Sequence, residues 1–231
     1  MENNNFSQMS LGEIVTNDFR AASIFKQAGL DFCCGGKKSL ESACREGGKD
    51  LNELLSGLDA LGQMPAAPSL NFKEWDPAFL ADYIINTHHR FVRNALPDLL
   101  SYTKKIADVH GAHHPELLEV AILFKQVADE LVPHLHKEEE VLFPAIKRVL
   151  AGNSADVPII ASEIERMSGE HESAGGAMDK INEMTKGYLL PADACNTYSL
   201  TFKLLEQFED DLHIHVHLEN NILYPKALNL K

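Results

Sequence analysis

The chain of 231 residues has no uninterrupted apolar run of about 18 residues, so no membrane-spanning helix is expected. Its polar start, Met1-Glu2-Asn3-Asn4-Asn5, has neither a basic nor an apolar segment, so no secretory signal is expected. Positive charge is in short supply. Against 34 Asp and Glu there are only 21 Lys and Arg, a formal net charge of −13. Nucleic acid and anionic membranes attract Lys and Arg, so neither is an expected partner. Cysteine is scarce too, and Cys33, Cys34, Cys44 and Cys195 form neither a C-x-x-C pair nor a secreted disulfide framework. Together with the missing signal segment, this points to a reducing, cytoplasmic setting. Strand-like alternation is absent throughout, which leaves helices as the only regular structure to expect.

What remains is a globular composition, 45% hydrophobic and 24% charged. The clearest break is Gly62-Gln63-Met64-Pro65-Ala66-Ala67-Pro68-Ser69, where two prolines and small residues interrupt helical patterns. Three parts are therefore expected: a small helical domain over 1–61, a linker over 62–75 and a main domain over 76–231. In the first part, Leu11, Ile14, Val15, Phe19, Ala22 and Phe25 have helical spacing. The turn Cys33-Cys34-Gly35-Gly36 follows, and short helical stretches begin at Ser39 and Asp50. About 60 residues is marginal for an independent core, so this part should lean on another.

Beyond the linker, long helical segments are predicted over roughly 76–109, 115–150, 156–187 and 192–229. Asp76-Pro77, His114-Pro115 and Pro158 mark starts; Gly152-Asn153, Gly187 and Pro191 mark stops. Amphipathic segments of this length with short connections predict an all-α antiparallel four-helix bundle behind the small helical domain.

The second and fourth of these segments carry one signature twice. His134-Leu135-His136-Lys137-Glu138-Glu139-Glu140-Val141-Leu142-Phe143-Pro144 recurs 81 residues later as His215-Val216-His217-Leu218-Glu219-Asn220-Asn221-Ile222-Leu223-Tyr224-Pro225. The repeat points to duplication of a helix pair. His and Glu four residues apart share a helix face with β-carbons about 5–6 Å apart, so each copy can offer a nitrogen and a carboxylate to one cation. At 100° per residue, Val141, Leu131 and Leu142 lie with His134 and Glu138, and their counterparts lie with His215 and Glu219. Charged pairs in apolar stripes are costly unless neutralised, and a metal ion neutralises them. His136 and His217 are expected to point outward. The competing frame His136–Glu140 has the counterpart His217–Asn221, which lacks the carboxylate, so the repeat rejects it.

The remaining segments should complete such a site. The third offers His171, on a stripe with Ile160, Ile164, Met167 and Met178. Gly175-Gly176, one turn on, are unusual inside a helix, where each costs about 1 kcal/mol relative to Ala; without side chains they are expected to leave room for a small ligand or channel. The first segment offers His88 and His89, which periodicity does not separate. His213 is expected to face outward, and His110, His113 and His114 to be solvent histidines at a helix connection. Cys44 and Cys195 are expected to be buried small apolar groups.

The linear order His…His-x-x-x-Glu…His…His-x-x-x-Glu resembles the hemerythrin-like di-iron proteins. With Asp31-Phe32-Cys33-Cys34-Gly35-Gly36-Lys37 ahead of it, nearly the whole chain resembles the repair-of-iron-centres family. The resemblance implies metal ligands at His89 (seven residues before Leu96-Pro97), His134, Glu138, His171, His215 and Glu219. Glu138 and Glu219 would bridge two iron ions, each with two histidines, and an oxo or hydroxo bridge would join them on oxidation. Imidazole also suits zinc and copper, so iron rests partly on the resemblance. Glu130 and Glu170 stand beside the ligands as supporting or transient iron-handling groups. Cys33 and Cys34 stand as a thiol docking or redox site.

The implied function is recovery of iron–sulfur clusters after nitrosative or oxidative stress, by supply of labile iron. The implied partners are damaged or apo iron–sulfur proteins or a cluster scaffold, with NO and O2 as small ligands. The rivals are an O2- or NO-binding carrier or sensor, and an NO-reducing di-iron enzyme. Either a monomer or a homodimer is compatible with the sequence.

Overall fold

The computed structural model describes residues 6–63 and 71–230. The polar start Met1–Asn5 and the stretch 64–70 of the expected linker lie outside the described residues. Among the described residues there is no β-strand, only an isolated bridge between Ser10 and Ser39.

The N-terminal domain packs four short helices: α1 (Leu11–Asn17), α2 (Ala21–Ala28), α3 (Leu40–Gly47) and α4 (Leu51–Gln63). Ser10 starts α1 through a capping box, its hydroxyl accepting from the Glu13 amide while Glu13 accepts from the Ser10 amide. Gly29 and Gly48 end α2 and α3 in left-handed backbone, a conformation that costs glycine least. Because α4 continues to Gln63, the helix ends two residues inside the expected linker. At the linker's other end, a 3-10 turn (Phe72–Glu74) buries Phe72 against Phe19, Trp75 and Tyr83.

The bundle consists of four rods. In the first, α5 (Pro77–Ile84) passes through a π turn (Ile85–His89) into α6 (Arg90–His110). In the second, α7 (Glu116–Lys137) passes through a π turn (Glu138–Leu142) into α8 (Phe143–Leu150). The third is α9 (Val157–Met184). In the fourth, α10 (Asn196–Leu218) passes through a π turn (Glu219–Leu223) into α11 (Tyr224–Leu228). Around the bundle α6 touches α7, α7 touches α9, α9 touches α10 and α10 returns to α6. Asp76 caps the first rod, accepting from the Ala78 amide at 2.8 Å, with Pro77 just inside.

Two apolar clusters hold the rods together. One runs from Leu11, Ile14 and Phe25 of the N-terminal domain without a break into Phe124, Leu135, Phe208 and Val216 of the bundle. The other gathers Leu80, Leu142, Phe143, Met167, Leu218 and Ile222. The small domain thus leans on the bundle as its size requires, sharing a core with it.

Candidate metal centre

His89, His134, Glu138, His171, His215 and Glu219 are buried and converge where the two apolar clusters meet. They form two overlapping groups: His89, Glu138, His215 and Glu219, and His134, Glu138, His171 and Glu219. Within each group the candidate ligand atoms lie within 4.8 Å of one another. Both carboxylates belong to both groups. Glu219 Oε1 is 2.9 Å from His215 Nε2 and Oε2 is 3.1 Å from His171 Nε2. Glu138 Oε2 is 3.4 Å from His134 Nε2 and 3.3 Å from His89 Nε2.

Each π turn falls where a candidate ligand sits. In the repeats the wide turn is closed by Phe143 N–H to Glu138 C=O and by Tyr224 N–H to Glu219 C=O. Pro144 or Pro225 comes next. Proline has no N–H and its ring crowds the carbonyl four residues back, so a widened turn just before it relieves the clash. The extra residue per turn also rotates everything downstream. Phe143 swings onto His89, ring centroids 5.8 Å apart, and Tyr224 stacks on His171 at 5.9 Å and 3°. Val141, expected beside His134, is rotated out to 37% exposure. Uniform 100° periodicity cannot anticipate that shift.

The far side of three histidines is anchored. His89 Nδ1 pairs with Glu139 Oε1 at 2.7 Å, His134 Nδ1 with Glu170 Oε2 at 2.8 Å and His171 Nδ1 with Asn220 Oδ1 at 3.1 Å. Each Nδ1–H donates outward, which turns Nε2 inward. Arg93 and Lys137 in turn pair with Glu139 and Glu170. Burial opposes charge on these two glutamates, but Arg93 with His89, and Lys137 with His134, hold both below the ordinary carboxylate value. Tyr224 Oη donates to Glu138 Oε1 at 2.7 Å. Burial and the nearby carboxylates push its phenol far up, so it remains a donor.

The donor set fits a cation. His89 Nε2, Glu138 Oε2 and Glu219 Oε2 are buried without a hydrogen-bond partner and meet their neighbours only as ion pairs. Buried groups left this way are expensive unless neutralised. In the metal-free protein, protons provide part of that neutralisation. Burial disfavours charge on His89 and His171, yet Glu138 and Glu219 outweigh it and push them up to about 10 and about 9. Burial wins at His215, which is held below its ordinary value. Glu219 is likewise opposed by burial, but His215 and His171 hold it well below the usual range.

The other residues singled out in the sequence separate clearly. His88 lies outside both groups: its ring stacks on His215 at 5.6 Å and its Nδ1 pairs with Asp211 at 2.9 Å. Glu130 accepts from Ser173 on the exposed surface and touches no ligand candidate. His136 is exposed, whereas His217, expected to match it, is fully buried. Its ring packs edge-on against Phe19 and Phe32, because the N-terminal domain covers this face. His213 does not face open solvent either; it sits half-buried against Phe32. Cys44 is buried, but Cys195 is exposed, 3.2 Å from His110 Nε2 at the start of α10. The Tyr198 amide and His110 lower its thiol to about 7. His114 is tied to Asp193 and Glu116 rather than free in solvent.

Cys33 and Cys34 stand with their sulfurs 4.0 Å apart on a turn organised by Asp31. Asp31 accepts from the amides of Cys33, Cys34 and Gly35 at 2.7–3.0 Å. Gly36 is required by close approach: a Cβ there would stand 2.5 Å from Phe32 O and 2.7 Å from Asn221 Oδ1. Asn221 donates to the carbonyl of Cys33 at 3.1 Å, and its side chain reaches His217. The small face of α9 meets the same turn, Gly175 lying against Cys34 while Gly176 faces open space. Sequence reasoning passed over Glu139, Asn220 and Tyr224, and read Asn221 only as the missing carboxylate of a rejected frame. Only Tyr224 carried a signal, the aromatic position shared by both repeats.

Fold and site together define a helical bundle with a buried histidine–carboxylate group able to hold cations, joined to a cysteine-bearing domain. Residues 80–227 match the hemerythrin HHE cation binding domain, and residues 7–62 match a domain of unknown function, DUF542. The chain is 34% identical to "Iron-sulfur cluster repair protein ScdA" of Staphylococcus epidermidis over 94% of its own length and 96% of the relative's. It is 37% identical to "Probable iron-sulfur cluster repair protein" of Haemophilus influenzae, covering 98% and 99%. To "Iron-sulfur cluster repair protein YtfE" of Pectobacterium atrosepticum it is 37% identical, covering 96% and 98%. The chain belongs to the two-domain hemerythrin HHE family that includes these proteins. No described helix is long and apolar enough to cross a membrane.

Proposed function

We propose that this protein restores iron–sulfur clusters damaged by nitrosative or oxidative stress, supplying labile iron from a two-iron centre. In this reading His89 and His215 would hold one iron and His134 and His171 the other, with Glu138 and Glu219, which belong to both groups, serving both. When bound, the irons supply redox change and open positions for small ligands such as NO or O2.

The observation that carries the reading is the run Glu219-Asn220-Asn221. Its first residue faces the centre, the second holds His171 Nδ1, and the third holds the carbonyls of Phe32 and Cys33. One π turn therefore ties the state of the centre to the Cys-Cys turn. Cys33, Cys34, Asn220 and Tyr224 also line one cavity of about 310 Å³. A gas carrier needs the bundle alone; a donor needs an outlet beside its store.

The chain's own groups perform definite tasks. Glu139, Glu170 and Asn220 aim the imidazoles, and the apolar clusters exclude bulk water. His89 and His171 hold protons that metal uptake releases, so loading should acidify an unbuffered solution. Cys33 and Cys34 form the docking or redox contact for a recipient, an apo or damaged iron–sulfur protein in the cytoplasm. The neighbouring Cys34 and burial raise the Cys33 thiol well above its ordinary value, keeping it protonated until a recipient or metal arrives.

The test is to incubate the iron-loaded protein with an NO-damaged iron–sulfur protein, with and without a chelator, and to measure cluster recovery. Recovery that the chelator abolishes is expected. Absence of recovery alongside reversible O2 binding would favour a carrier, and sustained NO turnover with an electron donor would favour an enzyme.

A further inference from the structure

Between the N-terminal domain and the bundle lies a cavity of about 320 Å³ that is separate from the centre. Its bundle wall carries Asp179 from α9 with Glu209 and His213 from α10; its other wall carries Asp31 and Cys33. The candidate ligand atoms of Asp179, Glu209 and His213 lie within 4.8 Å of one another. Glu209 and His213 are four residues apart on one helix face, the spacing used twice in the centre but with the carboxylate first.

Glu209 is the unusual member, because only 2% of it is exposed. Its Oε2 accepts from Asn182 at 2.8 Å, and no Lys or Arg pairs with Glu209 or Asp179 among the described residues. Lys26 lines the same cavity but is engaged by Asp210 at 2.5 Å and by Glu206. Burial pushes the Glu209 carboxyl above its ordinary value. Two carboxylates this close, one of them buried, lack a compensating cation, and that is costly.

We propose that Asp179, Glu209 and His213 bind one divalent first-row transition cation at the domain boundary, with Asp31 and Cys33 facing it. Two oxygens and an imidazole suit Fe(II), Zn(II) and Co(II) alike, and a thiol on the opposite wall favours these over magnesium or calcium. Three protein ligands, one fewer than each four-residue group of the centre offers, leave coordination positions open for water or an incoming ligand. The inference concerns a separate cation and does not depend on the repair function.

The test uses the full chain with its centre first filled with Fe(II) under anaerobic conditions. Titration with Co(II), followed by visible absorption and by metal analysis after desalting, should show one further cation per chain. Asp179→Asn and His213→Gln should each weaken that uptake by about tenfold or more, the loss seen even for groups that only support a ligand. Central iron content should not change. Asp179 is exposed, so Asp179→Asn with an unaltered melting temperature keeps the test clear of folding defects. Absence of uptake beyond the centre, or equal uptake in wild type and both variants, would overturn the proposal.

Discussion

The two copies of the signature share an inner face and differ on the outer one. Inward, His134 with Glu138 and His215 with Glu219 occupy matching places, and Phe143 and Tyr224 cover a histidine each. Outward, the first copy meets solvent: His136 and Glu140 are exposed and Val141 is 37% exposed. The second copy is roofed by the N-terminal domain: His217 is fully buried, Ile222 is 3% exposed and Asn221 bonds the Cys-Cys turn. The inner faces also differ in one atom. Tyr224 donates a hydrogen bond to Glu138, whereas Phe143 has no hydroxyl to offer Glu219. The two copies thus share a histidine–carboxylate inner face, and the N-terminal domain covers the outer face of only one of them.

The largest test of this comparison is metal content. Each carboxylate belongs to both groups, so Glu219→Ala or Glu138→Ala should lower iron close to zero per chain, while His136→Ala should leave it unchanged; metal analysis decides. Equal loss from all three would mean that the inner face is misassigned. Next is packing under the roof. Ile222→Ala should cost about 2–4 kcal/mol in denaturant melts, and Val141→Ala, at the matching exposed place, less than about 0.5 kcal/mol.

A pH effect of intermediate size follows from His217. Burial lowers it to about 4, against an ordinary value of 6.5. A histidine depressed in the folded state lends stability that is full above its unfolded value and is lost as pH falls towards the folded one. Between pH 7.5 and 5 that loss is roughly 2 kcal/mol. His217→Gln should flatten this limb of the stability curve, and His136→Gln should not. The raised values of His89 and His171 act in the opposite window: their contribution to the metal-free protein is full below 6.5 and fades as pH passes about 9 to 10. The smallest effect is Tyr224→Phe, which should cost about 1 kcal/mol and lower iron affinity modestly, making the two copies more alike.

The bundle and its rods were legible because amphipathic periodicity and Pro or Gly punctuation are local properties of the chain. That His134 and Glu138, and His215 and Glu219, share a face was legible because ordinary helical spacing runs up to the first residue of each π turn. Val141 was misplaced because it lies inside one. Only resemblance separated His88 from His89; in the structure the π turn directs His89 to the cluster and leaves His88 stacked on His215. His217 and Asn221 looked like a broken metal frame. They are instead a seat for backbone carbonyls about 190 residues away in sequence, which no local pattern encodes.

By itself, then, the sequence determined the helical class, the duplicated inner face and the presence of a separate cysteine-bearing domain. Tertiary structure decided the rest. It set which adjacent histidine turns inward, which glutamates brace the imidazoles, and which copy is covered. It also brought Asp179, Glu209 and His213 together opposite Cys33. The reason is physical: helix periodicity is fixed by neighbours three and four residues apart, whereas burial, ion pairing and hydrogen bonding of polar groups depend on what the remainder of the chain brings against them.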